Sequence, residues 1–554
     1  MVYPEVRELT VLEDVARWVS GLSYDDIPPR VLEVARNQVA SVLGAIHAGA
    51  GCAGGKAVIR TVDGLSGEGP CATYPGGGRT TFYSALLQNC SLSVALDYDD
   101  YLFLGHTGHS AVLAPLAVGE MRGADTRTVL VAQVAANEVA GRLGGTVAVG
   151  PHNGQMWAHI HLLGAAAAAS RVLGLDPDMT ADAMGIALAE PVYPLFPAFM
   201  GPQSKLLIAT VPTLTGTVAA FLAEGGMSGP RGILEDPQGF WANFSFVPMP
   251  FMLTGFGRAW VTDTVAFKPY PGCAYIDTAM DALFEITGEF RERKGRDIEP
   301  EEVLGIEAEA SLLTCAMDAM SSGYLDPEKL SPTNINFSLA LSVAIGLIAG
   351  TLSGAELTDG FLTSHRERIL ALASRVELRH CAGMTVAFVR ALDRVVDLKA
   401  MLREIDLRTL LKVRRRLREH LSSVATMGPG EAIAAWRSLS PEDRAFLRGL
   451  MSIGDLFKAH PSYDLGPSRF EELEMPFGAR LSVRLKDGTT LEAERLIPRG
   501  APGDRARLDV PREKFVKETA PFIGWEAAEA AVDTVLDLEN RTLDDMREAV
   551  ARGE

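Results

Sequence analysis

The sequence predicts an α+β protein of more than one domain, and three observations carry that reading. The chain has 554 residues, more than one compact hydrophobic core accommodates. Up to about Trp260, apolar residues recur at helical spacing and almost nothing alternates as a strand, which predicts an all-helical first domain. Beyond Trp260 come alternating segments and an Asp487-Gly488 turn, and then helical spacing again at the C-terminus. The expected division is an all-helical domain over 1–263 and 516–554, with both chain ends packed together, and an α+β domain over 264–515.

Taken in order, Thr10 followed by Glu13 is a capping box opening a helix through Val11, Leu12, Val15 and Val19. Pro28-Pro29 starts a longer helix, from Val31 to Ala48. Gly49-Ala-Gly51-Cys-Ala-Gly54 matches GxGxxG by letters, but no strand precedes it, so a flexible loop is expected rather than a dinucleotide site. Helices are expected over Phe82–Leu96, Ala111–Met121, Thr126–Leu143, Leu162–Leu173, Ala181–Ala189 and Ile208–Gly225. Ala165 to Ala169 in the fourth of these would let neighbouring helices approach closely. Glu302 to Leu313 alternates as a half-buried strand, Phe337 to Leu352 is an apolar helix, and Val376 to His380 is a second strand. Leu481–Lys486 and Thr489–Glu494 flank Asp487-Gly488 as a hairpin with a type I′ turn. Between His380 and Pro476 lies a charged helical segment whose basic run, Lys412 to Arg418, reads as a solvated or subunit-facing helix.

Composition narrows the function classes. Hydrophobic residues make up 47% and charged residues 22%, ordinary for a globular protein. The net charge of -18 argues against a nucleic-acid surface, which needs clustered Lys and Arg. No membrane-spanning segment is expected, since the apolar run Leu339–Leu352 is short and interrupted by glycines. The six cysteines include no CxxC or other close pair, so neither a zinc site nor a disulfide framework is expected. Met1 to Leu22 is amphipathic and acidic with no h-region, and a cytoplasmic location follows as the expectation.

The chemistry-bearing stretch runs from Ser91 to Glu120. An apolar helix leads into Asp97-Tyr98-Asp99-Asp100-Tyr101, a glycine-punctuated loop with His106 and His109, and a second apolar helix. Carboxylates and imidazoles on a loop between buried helices are what proton transfer requires. His152, His159 and His161 form a second histidine group. Gln203-Ser204-Lys205 beside the apolar Leu206-Leu207-Ile208 reads as a pocket lining, while Lys268 lies in the stretch Phe267–Cys273.

These stretches, in this order and spacing, resemble the MmgE/PrpD family over residues 1–360 and 479–554; residues 382–475 have the look of a helical insertion. The resemblance rests on Tyr24–Pro28, Ala95–Asp100 through His109 and Pro115, Glu138–Leu143, Gly164–Leu175, Lys205, Gly225–Pro230 and Phe267–Cys273. It implies a large helical domain built from both chain ends, a smaller α+β lid and a homodimer. It also implies cofactor-free, metal-free proton transfer next to a carboxylate of a small organic acid.

Transferred by motif, Asp97 is similar to the family's site aspartate and His106 or His109 to its loop histidine. Lys205 and Lys268 are similar to the lysines that hold substrate carboxylates. The second catalytic histidine falls on Gln155, so either His152 or His159 takes its role through a local shift or the chemistry differs. Tyr101 stands where a small hydroxyl residue is expected and would narrow the pocket or supply a phenol. The expected activity is a hydro-lyase of the 2-methylcitrate dehydratase kind; decarboxylation, epimerisation and an inactive binding protein are the alternatives.

Overall fold

The computed structural model describes residues 9–151, 155–403, 428–450 and 464–551. It is a mixed α+β structure in which helices dominate. The capping box forms as expected: Thr10 N donates to Glu13 Oε2 at 2.8 Å, Glu13 N donates to Thr10 Oγ1 at 3.3 Å, and the helix Val11–Gly21 follows. The helix Pro29–Ala50 is buried on every side from Asn37 onward, as an apolar helix at the centre of a bundle must be. At Gly44 the helix Asp509–Ile523 crosses so closely that a Cβ would lie 3.2 Å from Phe515 Cα.

The GxGxxG stretch is not a flexible loop. It forms the corner where Pro29–Ala50 turns by 92° into the helix Ala53–Leu65. A Cβ on Gly49 would meet the Leu92 carbonyl oxygen at 2.1 Å, so glycine serves close packing there rather than phosphate binding.

One apolar cluster joins the helices Val11–Gly21, Pro29–Ala50, Phe82–Val94, Leu113–Arg122, Thr126–Thr146 and Gln155–Leu173 with residues 515–550 from the other chain end. A second packs Asp277–Lys294, Leu339–Ala349 and Asp359–Ala373 against a four-stranded sheet, and reaches Ala45, Val94–Leu96, Tyr98 and Leu206 of the helical region. The sheet has the order β4-β3-β5-β6, from β3 (Val303–Ala310), β4 (Val376–His380), β5 (Ala479–Leu485) and β6 (Thr490–Arg495). β3 and β4 run parallel, and the other pairs are antiparallel.

Three expectations need correction. The N-terminal region is not purely helical, because β1 (Cys71–Thr73) and β2 (Gly78–Thr80) form a small hairpin; strands of three residues are too short for periodicity to show. The expected strand from Glu302 to Leu313 stops at Ala310, and Ser311 caps a helix, Leu312–Ser322. The β5–β6 hairpin is where it was expected, but its turn is not type I′. Among the described residues Asp97 is the one non-glycine with positive φ, so Asp487 is not left-handed. Gly488 N bonds Leu485 O at 3.1 Å and Leu485 N bonds Thr489 O at 2.8 Å, giving a three-residue loop with glycine at its left-handed position.

The basic run Lys412–Arg418 and His152 lie outside the described residues. Among the described residues the long apolar helix is Gln203–Glu224, and Leu339–Ala349 is a shorter one. By length and composition Gln203–Glu224 could cross a bilayer, yet 56% of its apolar window is buried, and it packs on Gln155–Leu173 and Pro177–Ala189.

Candidate functional site

The site is built where the helix Phe82–Val94 ends. Asp97 follows with φ of 48°, a left-handed conformation that costs an ordinary residue about 1–2 kcal/mol and recurs at functional sites. The chain then crosses to Ala266, with Tyr101 N bonding Ala266 O at 3.1 Å and Ala266 N bonding Tyr101 O at 2.6 Å. It doubles back through Leu102–Gly105 and enters the short helix Gly108–Ala111. A Cβ on Gly108 would lie 2.0 Å from Asp100 Oδ1, so this glycine lets the second half of the loop close on the first.

Three lysines distant in sequence converge on this loop. Lys205 Nζ donates to Asp97 Oδ2 in a buried ion pair. Lys268 Nζ donates to the Asp97 carbonyl at 2.5 Å and lies 3.7 Å from Asp99 Oδ1. Lys514 Nζ donates to the Tyr98 carbonyl and, at 3.1 Å, to Ser41 Oγ. Asp99 also binds both loop imidazoles, His106 Nδ1 at 2.6 Å and His109 Nε2 at 3.3 Å from its Oδ2. His106 is the more open of the two, its side chain 27% exposed against 2% for His109.

Behind them, His109 Nδ1 sits 2.7 Å from Ser93 Oγ, and the His161 ring stands edge-on to His109 with centroids 5.4 Å apart. His161 Nδ1 is itself 2.9 Å from Ser110 Oγ.

Burial would push the Asp99 carboxyl up, but the Lys268 ammonium and the two imidazoles outweigh it and hold it well below the usual range. Next to it, Asp100 is fully buried and pushed up, although Gln38 Nε2 donates to it at 2.7 Å; its Oδ1 has no hydrogen-bond partner. The two neighbouring carboxyls are thereby shifted in opposite directions, Asp99 down and Asp100 up. Burial pulls Lys268 down, yet Asp99 and Asp97 more than offset it. Burial pushes the nearby Cys273 thiol to about 12, leaving it a poor nucleophile.

Lys514 differs from the other lysines because burial pulls it down to about 7. Its unfolded-state ammonium titrates near about 10.4, so above pH 7 the unfolded chain binds more protons and stability rises with pH. Urea unfolding between pH 7 and 9 should therefore show wild type gaining stability relative to Lys514→Met, with the two curves parallel below pH 6. A constant difference across pH 7–9 would show that the ammonium is not desolvated.

Of the residues expected at the site, Asp97, His106, His109, Lys205 and Lys268 come together. Tyr101 joins them at the edge, its ring 6.3 Å from His106 and 6.0 Å from Phe477. His159 does not. Its Nε2 is 2.7 Å from Val192 O, its ring lies against Phe240 and Phe244, and burial pulls it to about 4, a structural histidine. Gln155 opens the helix Gln155–Leu173, and its side chain falls outside the described residues.

Sequence reasoning missed Asp99 as the bridging carboxylate and Lys514, and it grouped His161 with His152 and His159 without placing it at the loop. For His161 there was a signal: residues two apart on a helix point roughly 200° apart, so His159 and His161 could not both face one loop. For Lys514, 416 residues from Tyr98, there was none. Among the described residues no three His, Cys, Asp or Glu side chains are grouped to hold a metal ion.

Comparison with known proteins gives matches over the stretch that carries this loop. Residues 13–249 match the MmgE/PrpD N-terminal domain, which spans the Asp97–Asp100 loop, both loop histidines and Lys205. Cis-aconitate decarboxylase of Aspergillus terreus is 24% identical over 309 residues, covering 52% of this chain and 62% of that protein. The cis-aconitate decarboxylase-like protein oryM of Aspergillus oryzae is 24% identical over 307 residues, 52% of this chain and 63% of its own. The human cis-aconitate decarboxylase is 33% identical over a shorter 129 residues, 22% of this chain and 26% of its own. The chain thus spans about 62% of the length of the Aspergillus relatives it matches. Residues 13–249 of the chain thus carry the MmgE/PrpD N-terminal domain.

Proposed function

We propose that the protein is a lyase that removes a proton α to a carboxylate of a small organic acid. The observation that carries this reading is the convergence of Lys205, Lys268, Asp97, Asp99 and His106 in one buried cluster. Charge builds up on an already anionic carboxylate as the α-proton leaves, and ammonium donors in a dry site stabilise it most. Lys205 spends one of its three N–H groups on Asp97 and keeps the others for a ligand. The bond from His106 Nδ1 to ionised Asp99 selects the tautomer with its lone pair on Nε2, so His106 is the base.

In the dehydration form, His106 takes the α-proton, the C–O bond breaks as the double bond forms, and a second group in the cleft supplies the proton that lets water leave. The names of the relatives favour a second form, in which no α-proton is removed: the carboxylate leaves as CO2, its C–C electron pair stays on carbon, and an imidazole that has taken a proton from solvent delivers it to the carbanion. The wider reading adds the 1–263 plus 516–554 and 264–515 domain division, a lid, a homodimer, a cytoplasmic setting and a reaction without a bound cofactor.

Incubation with 2-methylcitrate, citrate and cis-aconitate in deuterated buffer tests it. Unsaturated-acid absorbance reports dehydration, CO2 release reports decarboxylation, and deuterium incorporation alone reports epimerisation. No change with any of the three, in folded protein, would remove a tricarboxylate lyase from consideration.

A further inference from the structure

The Lys205 end of the site is walled by carbon and sulfur. Lys205 Nζ lies 4.1 Å from the ring centre of Phe337 and 5.2 Å from that of Phe199. The two rings stand 5.7 Å apart and form, with Met200, a small apolar cluster. Against it pack Met317 and Met320, both half-buried, so the wall runs from the buried ammonium out to where solvent reaches.

Next to Phe337, the side-chain amide of Asn336 is 1% exposed and neither its oxygen nor its nitrogen has a hydrogen-bond partner. A buried amide left that way is costly, and a bound polar group would relieve it. The backbone oxygen of Asn336 accepts from Cys273 N at 2.7 Å, which ties this strand of chain to the Lys268 segment.

The charges set a limit too. Lys205 already faces the Asp97 carboxylate and Lys268 faces Asp99, so two of the three converging lysines are matched by carboxylates before any ligand enters. Three further carboxylates would exceed the positive charge on hand. A single carboxylate would not.

We propose that this end of the site receives an acid bearing one carboxylate and a hydrocarbon chain. The carboxylate is held by Lys205 and the Asn336 amide, and the chain lies along Phe199, Phe337, Met317 and Met320. The assignment rests on the site being a carboxylate site, as argued above, and refines which acid it takes.

Titration calorimetry on the intact chain with octanoate and with tricarballylate, neither of which can lose water, tests this separately from turnover. Octanoate should bind at least tenfold tighter than tricarballylate. Met320→Glu, at the solvent end of the wall, should weaken octanoate at least tenfold and change tricarballylate less than twofold, with Met320→Ser intermediate and thermal melts confirming both variants folded. Tighter binding of tricarballylate would overturn the proposal. So would octanoate binding that ignores both substitutions, including the case where they only dissociate subunits. If octanoate binds as expected and no acid exchanges its α-proton, the lyase reading fails and the subsite stands; exchange of tricarboxylates without octanoate binding has the reverse meaning.

Discussion

Replacing Asp99 with Asn should lower kcat by about 10³–10⁴-fold with little change in KM, because Asp99 acts through the imidazoles rather than on substrate. The ionised carboxylate accepts from His106 Nδ1 at 2.6 Å and fixes the tautomer that leaves Nε2 basic. An asparagine amide can instead offer its NH2 to Nδ1, which moves the imidazole proton to Nε2 and removes the base. Lys268, which Asp99 helps hold charged, would also become easier to deprotonate, so the alkaline side of the rate profile should move down. Asp100→Asn is the internal control. Burial pushes that carboxyl up, and an Asn amide oxygen can still accept from Gln38 Nε2, so stability should change by less than about 1 kcal/mol. Tautomers read by nitrogen NMR of the labelled histidines would check the cause directly. Equal losses for the two substitutions would contradict the division of labour between the adjacent aspartates.

What the sequence made legible was whatever is local. The Thr10–Glu13 box, the long helix from Pro29, β4 and the β5–β6 hairpin all follow from periodicity or capping chemistry within a few residues. The aspartates and two histidines of the loop were visible because chemistry-bearing side chains crowd into thirteen positions, Asp97 to His109. Lys205 was marked as pocket lining by its apolar neighbours Leu206–Ile208, but its carboxylate-holding role, and Lys268 altogether, were placed through the family resemblance. Lys514 was out of reach: its role is created by the crossing of Asp509–Ile523 over Gly44, a tertiary event. The turn at Asp487-Gly488 shows a further limit. The letters admit type I′ or a longer loop, and the β5–β6 register decides between them.

Lys205→Met should be the most damaging single change for structure and activity together. The substitution keeps the length and apolar stem that pack against Phe199 and Phe337 but removes the charge. It leaves an ionised carboxylate, its side chain 11% exposed, without its counter-charge, at a residue whose left-handed backbone already opposes folding. Breaking one partner out of such a pair costs about 3–5 kcal/mol. Activity should fall at least about 10²-fold, since one ammonium fewer would meet the developing charge. The double variant Lys205→Met, Asp97→Asn separates the two effects: a neutral pair of similar volume should recover stability to within about 1–2 kcal/mol of wild type while activity stays lost. Chemical unfolding of the four proteins in a mutant cycle, alongside the deuterium-exchange assay, gives both readouts. If the double variant is as unstable as the single one, Asp97 and Lys205 are not energetically coupled. If Lys205→Met keeps full activity, the ammonium does not hold the substrate carboxylate.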